Sequence, residues 1–134
     1  MLRMLIEFVR SIFFSSLAQG LHEACSPDNN LADRAVWSNA LSNALTRLYT
    51  YTHARPPSRT LVDPLDAFIS TLQQDGASYQ DAVQKAGEAA EATKHLAAKV
   101  GRAAYVEAEK FKGVADPGAK GVQVVLEALF PRSV

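Results

Sequence analysis

A proline pair at Pro56 and Pro57, with another proline at Pro64, constrains this chain more than any other feature. Proline lacks the amide donor that a helix interior needs, and it restricts the residue before it. No regular helix therefore runs through this point. On both sides the apolar residues recur at three- and four-residue steps, the period of one helix face. The stretch ARPPSRTLVDPLDAF, residues 54–68, is thus a stiff polar corner between two apolar helices. No segment alternates with period two between hairpin turns. The chain reads as all-α, an antiparallel helical bundle forming a single domain over residues 1–134.

The same reasoning places the helices. Leu2, Leu5, Phe8, Val9, Ile12, Phe13 and Leu17 share one face, and Met4 and Phe14 widen it, which predicts burial on more than one side. Gly20 lies near the predicted end of this helix, and CSPDNN, residues 25–30, is a loop by composition. A second helix is predicted from Leu31 to Tyr51, with Trp37, Leu41, Ala44, Leu45 and Leu48 as its stripe. Asn29, Asn30 or Asp33 is its candidate cap. The third helix begins between Thr60 and Pro64 and ends near Gly76. Asp63 resembles a cap followed by proline at the first helical position, and Leu61, Leu65, Phe68, Ile69 and Leu72 face inward. Ser78 and Asp81 form a capping-box-like start for an alanine-rich fourth helix running to about Val100. There the alanines allow close approach of neighbours, and Glu91 pairs with Lys94. Gly101 interrupts the pattern and Gly113–Gly118 is a loop. Asp116-Pro117 repeats the cap-plus-proline device before a last helix, which turns Val122, Val125, Leu126, Leu129 and Phe130 inward.

Composition removes several function classes. Lys plus Arg and Asp plus Glu number 14 each, so the basic face that phosphate backbones select is missing and nucleic acid is not the expected partner. A small phosphate site, needing one or two cations, remains compatible. Cys25 is alone, which rules out an internal disulfide or a cysteine metal cluster and fits a reducing, cytoplasmic setting. His22, His53 and His95 lack ligand-like spacing, and no metal ligands are assigned. Arg3, Glu7 and Arg10 break the apolar N-terminal run. A membrane span needs roughly 20 predominantly apolar residues, and a secretory signal needs an unbroken apolar centre. A core helix is the reading, with no membrane partner.

Three local features bear on chemistry: the Pro-Pro-Ser-Arg-Thr corner, Gly101-Arg102, and Asp116-Pro117-Gly118 at a helix start. Taken singly, they are a stiff turn, a solvated helix end and a cap. Together they suit a nucleotide lying across helix ends. A helix start offers free amides and partial positive charge. Gly118 lets a ligand approach the backbone, and an arginine fork matches phosphate oxygens.

These residues also carry a family resemblance. ARPPSRTLVDPLDAF resembles the Gly-Asp-Lys/Arg-Thr-Met-x-Asp segment of the C-terminal nucleotide-binding (DhaL-type) domain of dihydroxyacetone (glycerone) kinases, in its eukaryotic form. GRAAYV and DPGAKG resemble that family's Gly-Arg-Ala-Ser-Tyr and Asp-Pro-Gly-Ala signatures, in the same order and at similar separations. SIFFSSLAQGL resembles the helix that follows the family's phosphate loop. The likeness covers residues 11–130, and residues 1–10 are atypical. It implies an all-α barrel, of eight antiparallel helices in the family, that binds ATP and magnesium and phosphorylates dihydroxyacetone held by a separate domain. By resemblance Arg102 contacts the phosphates, Asp116, Pro117 and Gly118 line the nucleotide pocket, Thr60 and Leu61 flank adenine or ribose, and Thr52 is a further contact. Thr60, Arg102 and Asp116 are then expected to converge on one end of the bundle.

Departures from the family pattern are as informative. The family's magnesium-holding aspartates and its Gly-Gly-x-Ser-Gly loop have no counterpart in MLRMLIEFVR, residues 1–10. The substrate domain is likewise not in this sequence. Phosphoryl transfer depends on positioning and on metal ions that neutralise charge. The resemblance therefore implies a partial, N-terminally truncated ATP-binding domain, incomplete relative to the family barrel. No catalytic residue is assigned, and no turnover is expected from this chain alone. Uncovered apolar faces are expected to favour self-association. The alternative is a non-catalytic helical protein-interaction module derived from the same domain.

Overall fold

The computed structural model describes the backbone of residues 2–24, 33–98 and 112–129, and the side chains of 7, 8, 10–23, 33–98 and 112–129. Five α-helices are present and, among the described residues, no strand, as the all-α reading requires. They are α1 (Leu2–Ala24), α2 (Arg34–Tyr51), α3 (Val62–Leu72), α4 (Tyr79–Ala92), followed by a single 3-10 turn at Thr93–His95, and α5 (Pro117–Leu129). Contacts divide the chain into two compact units, residues 1–53 and 54–134.

The first unit is an α1–α2 hairpin. Its antiparallel sense follows from three contacts: Gly20 against Ala40, Gln19 to Arg47, and Phe8 edge-on to Tyr51. Gly20 lies inside α1 rather than at its end. It packs against Ala40, where a Cβ built at Gly20 would lie 3.5 Å from Cα and Cβ, an ordinary van der Waals distance. Asp33 is the cap of α2, its Oδ1 accepting from the Ala35 N–H at 2.9 Å. The buried side comprises Phe13 and Ser16 of α1 with Ser38, Ala40, Ala44, Leu45 and Leu48 of α2. Phe8, Phe14 and Trp37 are exposed. The described part of α1 thus buries one narrow side, not several. A groove of ≈ 140 Å³ opens between Ile12, Ser15, Ser16, Gln19, Arg47 and Tyr51.

The second unit packs α4 between α3 and α5. Ala82, Ala86 and Ala90 are fully buried along one face of α4, and their small side chains let both neighbours approach. Phe68 meets Tyr79 edge-on at 5.4 Å between ring centroids. Opposite α4, α5 runs antiparallel, with Lys120 at Glu91, Gln123 at Gly87 and Leu126 at Tyr79. The Ser78–Asp81 capping box forms in full. Two expectations change here. α4 stops at Ala92, not near Val100, and gives way to the 3-10 turn, whose carbonyls take donors from elsewhere. Arg59 Nε donates to Thr93 O and Gly113 N–H to Lys94 O. On α5, Ala119 and Leu126 are buried, while Val125 and Leu129 are exposed together with Val124. Phe130 lies outside the described residues.

Candidate functional site

The corner is organised by one carboxylate. Asp63 is 5% exposed and sits in the first turn of α3 rather than at its cap. Pro64 is accommodated there because first-turn amides have no partner within the helix. Freed from capping, Asp63 reaches back over the preceding turn. Its Oδ1 accepts from the Ser58 N–H at 2.9 Å. Its Oδ2 accepts from the Thr60 N–H at 2.8 Å and the Ser58 hydroxyl at 3.0 Å. The Ser58 and Thr60 hydroxyls are 2.8 Å apart, and the Val62 N–H donates to Thr60 Oγ1. The Pro56–Pro57 peptide is cis. Among the described residues no buried side-chain nitrogen or oxygen lacks a hydrogen-bond partner.

This folding sorts the corner into an inner and an outer half. Ser58, Arg59 and Asp63 are buried, while Thr60 and Leu61 are half-buried at its outer edge. The Arg59 guanidinium turns inward, Nε to Thr93 O at 3.2 Å and Nη2 to Val114 O at 3.0 Å. That answers why a connector needs an arginine, and it places this group against protein carbonyls.

The start of α5 is built as the sequence suggests. Asp116 Oδ2 accepts from the Ala119 N–H at 2.9 Å, and Asp116 O accepts from Lys120 N–H. Pro117 occupies the first helical position, where its missing donor costs nothing. Gly118 faces the corner. A Cβ there would lie 3.1 Å from Asp116 Oδ2 and 3.3 Å from Leu61 Cβ. The structure therefore brings Leu61, next to Thr60, against Gly118 and the Asp116 cap, although some 55 residues separate them. Thr52 belongs to the first unit, where it ends α2 and donates its N–H to Leu48 O. Arg102, with Gly101, lies outside the described residues. Sequence reasoning missed Thr93. Its fully buried hydroxyl donates to Ala90 O at 2.6 Å and accepts from the Asp116 N–H at 2.8 Å. No local motif marks such a residue.

Charge on the outer surface of this end is paired. Lys120 Nζ lies 2.7 Å from Glu91 Oε1, and Lys94 contacts the other oxygen of the same carboxylate. Lys120, then Lys94, hold the Glu91 carboxyl down to about 2. Burial raises the Tyr79 phenol above its ordinary value. Among the described residues no group of three or more His, Cys, Asp or Glu side chains is spaced to hold a metal ion, and no helix is long and apolar enough to cross a membrane.

An all-α unit with a polar corner set against a capped helix start is the class of scaffold described so far. Residues 8–130 match the DAK2 domain, and the chain belongs to that family. It is 40% identical over 123 residues to dihydroxyacetone kinase 2 of Saccharomyces cerevisiae, covering 87% of this chain and 20% of that protein. It is 36% identical over 124 residues to dihydroxyacetone kinase of Pichia angusta, again covering 87% and 20%. Against human triokinase/FMN cyclase the identity is 34% over 116 residues, covering 81% and 20%. The chain thus spans about a fifth of the length of these relatives. No solved structure matches it.

Proposed function

We propose that this chain forms the C-terminal part of the DhaL-type nucleotide-binding domain of a dihydroxyacetone kinase. In this reading it contributes a partial ATP site and not a complete catalytic centre. The observation that carries it is the meeting of two separate motif segments, with Leu61 against Gly118 beneath the Asp116 cap. Membership of the DAK2 family, with dihydroxyacetone kinases among the relatives, supports a nucleotide as the ligand of that geometry. At the α5 start Pro117 has no N–H and Asp116 takes those of Ala119 and Lys120, which leaves the Gly118 N–H to meet phosphate or ribose oxygens. Gly118 lets Leu61 pack against the helix start, Thr60 and Leu61 border the purine or sugar, and Arg102 answers the phosphates. In a complete family domain magnesium accompanies ATP, and its carboxylates are not found in residues 1–10. This chain alone therefore binds ATP weakly and transfers no phosphoryl group to dihydroxyacetone.

Calorimetric titration with ATP and magnesium tests the reading, comparing the unaltered chain with Gly118→Val and Arg102→Ala. Weaker binding by both variants is expected. Equal affinity for all three proteins overturns the assignment, and ATP-dependent phosphorylation of dihydroxyacetone by this chain alone overturns the inactivity. The exposed Val124, Val125 and Leu129 favour the second reading, a helical interaction module without catalysis, and also self-association. Concentration-dependent assembly with no nucleotide affinity would support that reading over the first.

A further inference from the structure

Arg59 is the only non-glycine residue with positive φ among the described residues, at 57°. An L-residue rarely adopts that backbone conformation without compensation. The compensation lies in where the side chain goes. The residue is 7% exposed, and its fork reaches the carbonyls of Thr93, just after α4, and Val114, on the segment entering α5. Thr93 continues the connection, because its hydroxyl accepts from the Asp116 N–H. Asp116 in turn caps Ala119. An unbroken series of hydrogen bonds thus runs from the inner half of the corner to the first turn of α5.

We propose that Arg59 is a positioning residue. By holding Thr93 O and Val114 O together, it fixes Asp116 and Gly118 relative to Thr60 and Leu61, and so sets the width of the nucleotide end without touching nucleotide. The functional half of this inference rests on the nucleotide reading above. Lysine is a poor replacement, since a single ammonium does not reproduce a planar fork spanning two carbonyls.

The test compares Arg59→Gly, Arg59→Lys and Thr93→Val with Phe68→Leu as a packing control. Glycine tolerates the left-handed backbone, so Arg59→Gly removes the side chain without straining the turn. Thr93→Val keeps the shape, removes the acceptor for Asp116 N–H, and decides the matter should Arg59→Gly not fold. Amide hydrogen exchange is read at Ala119 and Lys120 against Gln73, beyond α3, alongside ATP–magnesium affinity. Loss of a charge-assisted hydrogen bond is expected to raise exchange at Ala119 and Lys120 about tenfold beyond any change at Gln73, and to weaken nucleotide binding by a similar factor. Arg59→Lys is expected to fall between the unaltered chain and Arg59→Gly. Phe68→Leu is expected to lower the melting temperature while leaving affinity unchanged. Uniform exchange changes across α3 and α5 would overturn the proposal, as would an Arg59→Lys protein indistinguishable from the unaltered chain. If the unaltered chain binds no ATP, the nucleotide reading fails, and the exchange pattern alone decides whether Arg59 positions α5.

Discussion

Replacing Asp63 by alanine isolates the carboxylate that organises the corner. Four donors face it, but they do not lose equally. The Ser58 and Thr60 hydroxyls already lie within hydrogen-bond distance of each other and keep a partner. The two backbone N–H groups lose theirs. Hydrogen bonds to a charged acceptor contribute about 1.5–3 kcal/mol each, and a stranded buried donor costs about 1–3 kcal/mol. Ser58 is 2% exposed and suffers the full loss, whereas water reaches half-buried Thr60 and limits its share. The sum is about 3 kcal/mol. For a unit of this size each kcal/mol lowers the melting temperature by about 4–8 °C, so Asp63→Ala is expected to melt about 12–24 °C lower. Asp63→Asn keeps one carbonyl oxygen and turns an amide group toward the other donors, so about half the loss is expected. Urea and thermal unfolding followed by circular dichroism measure both. An Asp63→Ala loss below about 1 kcal/mol would show that water replaces the carboxylate, and the account of a self-contained buried network would be wrong.

Further outcomes follow from the same end of the molecule. Glu91 has a depressed pKa in the fold, so its attraction to Lys120 and Lys94 is fully present above the ordinary carboxylate value of 4.5 and fades as pH falls toward about 2. The melting-temperature gap between the unaltered chain and Glu91→Gln is expected to close over that window, and a gap independent of pH would contradict it. Gly118→Ala puts a methyl group 3.1 Å from Asp116 Oδ2 and 3.3 Å from Leu61 Cβ, and is expected to cost about 1 kcal/mol by denaturant titration despite alanine's better helix propensity. Gly76→Ala has open space but φ +79, and a similar loss of about 1 kcal/mol is expected from the backbone alone. Val125→Glu with Leu129→Lys is expected to reduce self-association in sedimentation experiments, and unchanged assembly would place the contact elsewhere.

What could be read from the sequence was local. Asp33, Ser78–Asp81 and Asp116–Pro117 acted as caps because a cap needs only a short side chain and amides two or three residues away. The alanine face of α4 was visible from spacing alone. What failed depended on groups distant in sequence. α4 ended at Ala92, and the turn after it takes a donor from Arg59, 34 residues from Thr93, a contact that no helix propensity encodes. Asp63 looked like a cap because Asp-Pro often is one, yet the turn before it offered more donors than the helix after it. Val125 and Leu129 fit a helical stripe, but periodicity shows which residues share a face, not whether anything covers it. For the site, motif resemblance led to the expectation that Thr60, Arg102 and Asp116 converge, and Arg102 lies outside the described residues; the contact of Leu61 with Gly118 and the part played by Thr93, a buried threonine with no motif, were not anticipated.

The row formed by Ala82, Ala86 and Ala90 has a consequence for how this scaffold varies. With only a methyl group at each of these three buried positions, almost every substitution there adds bulk. Each added carbon would push α3 or α5 outward like a shim, and α5 carries the Asp116 start with it. The spacing of Leu61 and Gly118 thus depends on a row of alanines on α4, a helix that contributes neither residue.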